Sequence, residues 1–491
     1  MSTVFPMVAK TFAGLEGVLA EELRGLGAEK VEAGNRMVAF EGDLAMMYKA
    51  NLCCRTALRI LKPFLKFSAR DADELYERAK EYDWGKFLRI DQTFSIDTVA
   101  FSDEFRHSQF ATYRVKDAIM DWFKDHTDGV KRPRVCLEGA DICINVHIAG
   151  HEVIFSLDSS GESLHRRGYR VAQTDAPINE VLAAGIIMLS GWKGETPFVD
   201  PMCGSGTFVI EAALIAANII PGVFRSHFAF ENWPDFDREL FETIYNDDSA
   251  EREITVPIIG ADISRKAIEI ATDNAKAAGV ASKIRLEVKS IESWTEAPQP
   301  AGVMVTNPPY GKRIVADDMN ALYRSIGTVL KHVFTGYHAW IIGYEDEYFH
   351  EIGLAPSKKI AINNGGLDCE LREYVIFEGK KSDFRAGGGS IKAMRPAPER
   401  KSRQGTAGSK PYRGERRNPL ADKIKSRFDR AERKPYDGRR KEENGEGKRE
   451  RRPIDLNRLG RRPSISADKA IDMRPTWKAR NLPPLKEDKE D

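Results

Sequence analysis

From about residue 175 the chain falls into one repeated pattern: a short apolar run, a loop, then a helical run. "TPFVD" leads through "PMCGSG" into "TFVIEAALIAANII", and "VPIIGADIS" leads into "RKAIEIATDNAKAAG". "IRLEVKS" and "GVMVTNPPYG" come next, then "DMNALYRSIGTVLKHVF", and "HAWIIGYE" and "LREYVIFEG" close the series. Strands that alternate with helices join through right-handed crossovers, so the pattern demands a mostly parallel, doubly wound α/β sheet of Rossmann-like type, about 200 residues long. Ligands of such sheets sit beyond the carboxyl ends of the strands. "DPMCGSG" and "NPPYG" both follow strands, which places them at one mouth.

The first 160 residues read differently, as a mixed α+β module. "GLEGVLAEELRGLGA" puts Leu15, Val18, Leu19, Leu23 and Leu26 on one helical face. "NRMVAFEG" reads as a strand and "DLAMMYKANL" as a helix opened by Asp43. "DADELYERAKEY" and "HSQFATYRVKDAIMDWFKDH" are helical, and "DICINVHIAGHEVIFSLDSSG" is a hairpin turning at Ala149-Gly150-His151. Beyond residue 380 periodicity disappears into Gly, Pro and charge, the composition of a disordered segment. The expected divisions are 1–55, 56–160, 161–380 and a disordered tail, 381–491.

Charge follows the same divisions. Residues 381–491 hold 33 Lys+Arg against 18 Asp+Glu, a net of +15, so the remaining 380 residues carry −14 of a total of +1. A basic tail on an acidic body is an electrostatic footprint for a polyanion. The six cysteines (53, 54, 136, 143, 203 and 369) form no C-x-x-C pair, so neither a disulfide framework nor a metal site is expected. With no signal pattern and no apolar run long enough for a membrane span, the expected compartment is the cytoplasm.

"DPMCGSGTF" (200–208) has glycines at Gly204 and Gly206, which permit a tight turn and close ligand approach. The helix opening at Thr207 directs free N–H groups to the mouth, where a carboxylate is favoured. The spacing is neither that of a P-loop nor G-x-G-x-x-G. A strand-terminal Asp200 suits an ammonium group, and Asp262 stands where its carboxylate can accept ribose hydroxyls. Amine, carboxylate and nucleoside together describe S-adenosylmethionine (AdoMet). The competing role for Asp262 is a helix N-cap, which Ser264 can fill equally well. Cys203 is a packing residue, because amine methylation needs no covalent intermediate.

An exocyclic amine on a nucleobase is a weak nucleophile, since its lone pair is delocalised. Asn307 offers a side-chain carbonyl and Pro308 a backbone carbonyl to accept both N–H groups as the nitrogen becomes tetrahedral. Pro308 and Pro309 fix φ and remove competing donors, and Tyr310 offers a ring on which the base can stack. This is preorganised electrostatic catalysis on a base that has left its helix or lies in a loop.

These motifs resemble those of THUMP-containing class I AdoMet-dependent RNA guanine-N2 methyltransferases, and of these the bacterial enzymes acting on large-subunit (23S) ribosomal RNA are the nearest in pattern. The resemblance is carried by "LHRRGYR" (164–170), "APINEVLAAGIIMLSGW" (176–192), "DPMCGSGTFVIEAALIAANIIPG" (200–222), "FAFENWPDFD" (228–237) and "TNPPYGKR" (306–313). It implies a ferredoxin-like segment and a THUMP module that grips structured RNA. It also implies a cofactor site at Asp200, Gly204, Ser205, Gly206, Thr207 and Asp262, and a guanine site at Asn307, Pro308, Pro309 and Tyr310. Many class I enzymes place an acid after the third strand; here Ser290 occupies that region. Some relatives carry a second methyltransferase domain, whereas only the basic tail follows Gly379, so a second methylation activity is not expected. Arg166, Arg167, Tyr169 and Arg170 form a basic cluster expected to contact RNA phosphate, the alternative being an interdomain hinge. Residues 221–253 exceed one β-α-β step and are expected to cover the cofactor or flipped base, or else to be a surface insertion. The functional expectation is guanine-N2 methylation of large-subunit ribosomal RNA. Its alternatives are the same reaction on transfer RNA and a non-catalytic RNA-binding role in ribosome assembly.

Overall fold

The computed structural model describes residues 3–127, 132–175, 177–309, 316–344 and 346–379. Tyr310 and the tail at 381–491 lie outside the described residues.

The N-terminal strands are β1 (Phe5–Lys10), β2 (Glu29–Ala33), β3 (Met37–Gly42), β4 (Arg59–Ser68), β5 (Thr93–Phe101), β6 (Arg134–Val135), β7 (Ile142–Ala149) and β8 (Glu152–Asp158). They form one sheet in the order β2-β3-β1-β4-β8-β7-β5-β6. β4 pairs antiparallel with β1 on one side and β8 on the other, so the sheet runs unbroken past residue 55. Pro63 cannot donate to the ladder and sits where the β4–β8 register slips, between Pro63 and Leu65. β7 and β8 form the expected hairpin, with Ala149 opposite Glu152 and Gly150 at φ +58°. Alternate residues of these strands, including Ile142, Ile144, Val146, Val153 and Phe155, are buried. They share a core with α1 (Glu16–Gly25), α2 (Leu44–Cys53), α3 (Ala72–Lys80) and α4 (Ser108–His126). The Asp43 carboxylate accepts the Met46 N–H at the start of α2, as its sequence position implied.

The second sheet comprises β9 (Phe198–Asp200), β10 (Ile258–Asp262), β11 (Arg285–Val288), β12 (Gly302–Thr306), β13 (Tyr337–Gly343), β14 (Lys358–Asn364) and β15 (Leu367–Val375). Its order is β11-β10-β9-β12-β13-β15-β14. The first five strands are parallel, and β15 runs antiparallel between β13 and β14. Phe198, Ile258, Val305 and Trp340 pack with α5 (Glu180–Leu189), α6 (Thr207–Ala216) and α8 (Arg265–Ala277). Their neighbours Val199, Ile259, Met304 and Ile341 pack on the other face with α9 (Ala316–His332) and α10 (Asp346–Glu351). Period-two burial on both faces is what a doubly wound sheet requires.

Residues 221–253 correct one expectation. They do not cover the mouth, because they leave from the far end of α6, which starts at the mouth and runs away from it. The ends of the segment are tied there: Arg252 N–H donates to the Ala217 carbonyl at 2.8 Å and Asn218 Nδ2 to the Ala250 carbonyl at 3.0 Å. Nor is the segment a surface insertion. It contains α7 (Arg238–Tyr245), and Phe228, Phe230, Trp233 and Phe241 are all buried in the N-terminal core. The Phe230 ring lies 4.7 Å from that of Tyr48 on α2, whose hydroxyl accepts the Asp237 N–H at 2.9 Å. The segment is a strap that carries aromatic side chains from one module into the core of the other. Phe230→Ala is expected to cost about 3–5 kcal/mol of stability, the usual cost of deleting a buried ring. Urea unfolding would show this, and a loss below about 1 kcal/mol would mean the strap is only loosely seated.

Candidate functional site

Asp200 ends β9 and is buried. Thr306, the last residue of β12, donates its hydroxyl to Asp200 Oδ1 at 2.8 Å, and Met202 N–H donates to the same oxygen at 3.2 Å. The two expected loops therefore meet at one mouth, joined by a hydrogen bond between them. Burial pushes the Asp200 carboxyl up to about 7; the two hydrogen bonds oppose the rise and the nearby Asp262 carboxylate adds to it. Thr306, a polar side chain ending an apolar strand, was not singled out from sequence, although that contrast was the available signal.

Asn307 follows directly. Its Oδ1 is shielded from solvent yet has no hydrogen-bond partner among the described residues. A buried amide oxygen without a donor costs about 1–3 kcal/mol, so this one is free to accept an N–H brought to the mouth of the sheet. Pro308 is buried beside it.

Gly204 and Gly206 have φ of +52° and +83°, a region costly for any side chain. A Cβ at Gly206 would lie 2.9 Å from the Ala271 side chain on α8. Asp262 Oδ2 accepts the Gly204 N–H at 2.9 Å and Oδ1 accepts the Ser264 N–H at 2.8 Å. Ser264, not Asp262, caps α8 through the Ala267 N–H. Each Asp262 oxygen retains a second acceptor position. Ile263, 77% exposed, follows Asp262, and the half-exposed Val288 stands opposite Asp262 in the β10–β11 register. Sequence carries no signal for this bare apolar strip, since an isoleucine after a strand looks the same whether packed or exposed. Ser290 lies past the end of β11 with its hydroxyl paired to that of Ser293 at 2.7 Å. Cys203 is buried, which holds its thiol well above the ordinary range and fits a packing role.

Ser205 and Thr207 are also at the loop, but their side chains are turned to Arg170. Its guanidinium donates to Ser205 Oγ at 3.1 Å, Thr207 Oγ1 at 3.0 Å, Glu180 Oε1 at 2.6 Å and the Ile178 carbonyl at 3.1 Å. This corrects the expected RNA cluster. Arg167 and Tyr169 are buried, Tyr169 within the core of the catalytic sheet. Arg167 donates to the carbonyls of Arg55 and Leu164, and the Tyr169 hydroxyl donates to Glu211 at 2.9 Å. Donors committed to carbonyls and carboxylates inside the protein cannot reach a phosphate; of these three, Arg167 bridges to the N-terminal module through Arg55, while Tyr169 and Arg170 bond within the catalytic module. Only Arg166 of the four is exposed, paired with Glu162 at 3.1 Å.

A seven-stranded sheet of this order, with an acid at the end of its first strand and an Asn-Pro-Pro loop at the end of its fourth, defines a Rossmann-like methyltransferase. Comparison with known proteins narrows the class. Residues 167–373 match the RMKL-like methyltransferase domain, 69–158 the THUMP domain and 6–61 the RlmL ferredoxin-like domain. A Synechocystis protein described as a candidate RNA methyltransferase is 39% identical, over 77% of this chain and 98% of that protein. The ribosomal RNA large subunit methyltransferase K/L of Syntrophotalea carbinolica is 38% identical over 74% of this chain, but only 53% of its own length is covered. The chain spans about half the length of the K/L relatives it matches. Among solved structures, SMU.472, a candidate methyltransferase complexed with SAH, superposes with TM-score 0.69 at 32% identity, over 77% of this chain and all of that one. A Listeria monocytogenes protein named a "predicted N6-adenine-specific DNA methylase" gives 0.67 at 31% identity, over 76% of this chain and 97% of that one. The chain belongs to the RMKL-like methyltransferase family, in the form that carries ferredoxin-like and THUMP modules ahead of the catalytic sheet. No described helix is long and apolar enough to cross a membrane.

Proposed function

We propose that this protein transfers a methyl group from AdoMet to the exocyclic N2 of a guanine in large-subunit ribosomal RNA. The observation that carries the reading is the unpartnered, buried Asn307 Oδ1, one residue from the Thr306–Asp200 hydrogen bond. The names of the K/L relatives support the substrate.

The residues at the mouth fit AdoMet: an acid for its ammonium, glycines for backbone approach, a second acid with spare acceptor positions and an apolar strip for a purine. When bound, it supplies an electrophilic methyl group. Asp200 holds the ammonium, the N–H groups at the start of α6 face the carboxylate, and Asp262 accepts ribose hydroxyls while Ile263 covers the adenine. Ser290 lies at the adenine edge. Asn307 Oδ1 and the Pro308 carbonyl accept the two hydrogens of the guanine amine and steer its lone pair outward, with Pro309 fixing the turn. Tyr310 is assigned the stacking surface. Residues 1–55 and 56–160 dock the RNA and 161–380 carry the chemistry. The tail, 381–491, together with Arg166, supplies sequence-independent phosphate contacts in the cytoplasm.

Asp262→Ala is expected to raise the KM for AdoMet about tenfold or more, since a hydrogen bond to a charged group contributes about 1.5–3 kcal/mol. An unchanged KM would leave Asp262 only its role in holding Gly204. The function itself is tested by nucleoside mass spectrometry of separated ribosomal RNA, transfer RNA and DNA from a deletion strain. The expected result is loss of N2-methylguanosine from large-subunit RNA. Loss from transfer RNA would select the alternative substrate, and loss of N6-methyladenine from DNA would overturn the acceptor assignment.

A further inference from the structure

We propose that Arg170 is a positioning residue for the cofactor loop, and that the segment 167–170 couples the seating of the N-terminal module to that loop. The inference rests on the AdoMet site described above and goes beyond it.

The geometry is a zipper along the first turns of α6. Thr207 and Glu211 stand one turn apart on that helix and so share a face. Arg170 holds the first of them, and Tyr169 and Arg167 hold the second: the Tyr169 hydroxyl donates to Glu211 Oε1, and Arg167 Nε lies 3.5 Å from the same oxygen. The Arg170 donors on Ser205 and Thr207 bracket Gly206, the left-handed residue on which the loop turns. From the other side Asn274 on α8 donates to the Ser205 carbonyl at 3.0 Å, while its Oδ1 accepts the N–H groups of Val171 and Ala172. The loop is thus clamped by the segment that precedes the catalytic sheet, not by the sheet alone.

The same segment is fixed at its other end by the N-terminal module and the strap. Arg167 donates to the Arg55 carbonyl at 2.5 Å, and Glu22 on α1 accepts the N–H groups of Arg55 and Thr56. Gly168, at φ +106°, lies so close to the strap that a Cβ there would be 2.1 Å from the Phe224 carbonyl oxygen. Arg225 of the strap donates to the carbonyls of Ser160, Glu162, Ser163 and Arg166. A shift of the N-terminal module therefore pulls on a short segment anchored at both ends, whose last residue holds the cofactor turn. A planar guanidinium with fixed donor directions suits this task, and a lysine ammonium does not reproduce it.

The test uses the full chain, S-adenosylhomocysteine as the calorimetric probe and deproteinised large-subunit RNA in filter binding. Arg170→Ala should weaken S-adenosylhomocysteine at least tenfold and raise the KM for AdoMet more than it lowers kcat, with RNA affinity within twofold of wild type. Arg170→Lys should recover only part of the loss. Tyr169→Phe, which removes one hydroxyl from the zipper, should weaken the probe by a smaller factor. Unchanged probe affinity in Arg170→Ala, full recovery in Arg170→Lys, or a parallel loss of probe and RNA binding with the thermal transition would each overturn the proposal. Failure of the wild-type protein to bind the probe would instead overturn the AdoMet site itself.

Discussion

Asn307→Ala is expected to lower methyl transfer by about 10²–10³-fold, the loss typical of removing one preorganised polar group that acts on the transition state. AdoMet affinity should remain within about twofold of wild type, because among the described residues the Asn307 Oδ1 has no partner and so does not hold the cofactor loop. The two effects separate cleanly by single-turnover transfer of a labelled methyl group and by calorimetry. A variant that methylates at the wild-type rate would remove Asn307 from the reaction. One that loses cofactor binding and turnover together would instead make it part of the β12 terminus. Asn307→Asp is a sharper form of the same experiment, since a carboxylate keeps the acceptor and adds charge. It should retain more activity than alanine if acceptance of the amine hydrogens is what matters.

The second large effect is on pH. The Asp200 carboxyl is pushed up to about 7 by burial, so near neutrality the free site holds both acid and carboxylate. Only the carboxylate attracts an ammonium group. AdoMet affinity should therefore rise with pH, falling by about tenfold per unit below about 7 and levelling above it, as one-proton linkage requires. Calorimetric titration from about pH 5.5 to 8.5 would read the slope directly. Asp200→Asn, nearly isosteric and uncharged, should bind weakly and lose the dependence. A flat wild-type profile would show that Asp200 holds its own backbone turn and does not meet the cofactor amine.

Much of the catalytic half was legible because its signals are local. "VPIIGAD" and "GVMVT" are short apolar runs closed by loop residues, and burial on both faces writes that pattern into the sequence. β14 was not read, because an edge strand is half exposed: "KKIAINN" alternates weakly, and only Gly365 and Gly366 hint at its hairpin. β4 and β5 were missed for a related reason, since each mixes charged and apolar residues on a sheet covered on one side.

The site divides along the same line. The placement of Asp200, Gly204, Gly206, Asp262 and Asn307 at the sheet mouth was legible because strand ends, glycines and prolines fix where a backbone turns, whatever surrounds it. Thr306 and Ile263 were not, since a threonine or isoleucine carries no mark of being aimed at a neighbouring strand's carboxylate or at open space. "HRRGYR" is the clearest case: its composition is that of a phosphate site, yet three of its four key side chains are spent inside the protein. The aromatic run at 228–241 also belongs to the core of the other module. Sequence by itself determined the doubly wound sheet, the glycine loop and the Asn-Pro-Pro turn that ends β12, because these depend on periodicity and backbone conformation over a few residues. Tertiary structure alone decided where charges and rings point, because a guanidinium binds whichever acceptor the fold brings within 3 Å, be it a phosphate outside or a carbonyl more than a hundred residues away.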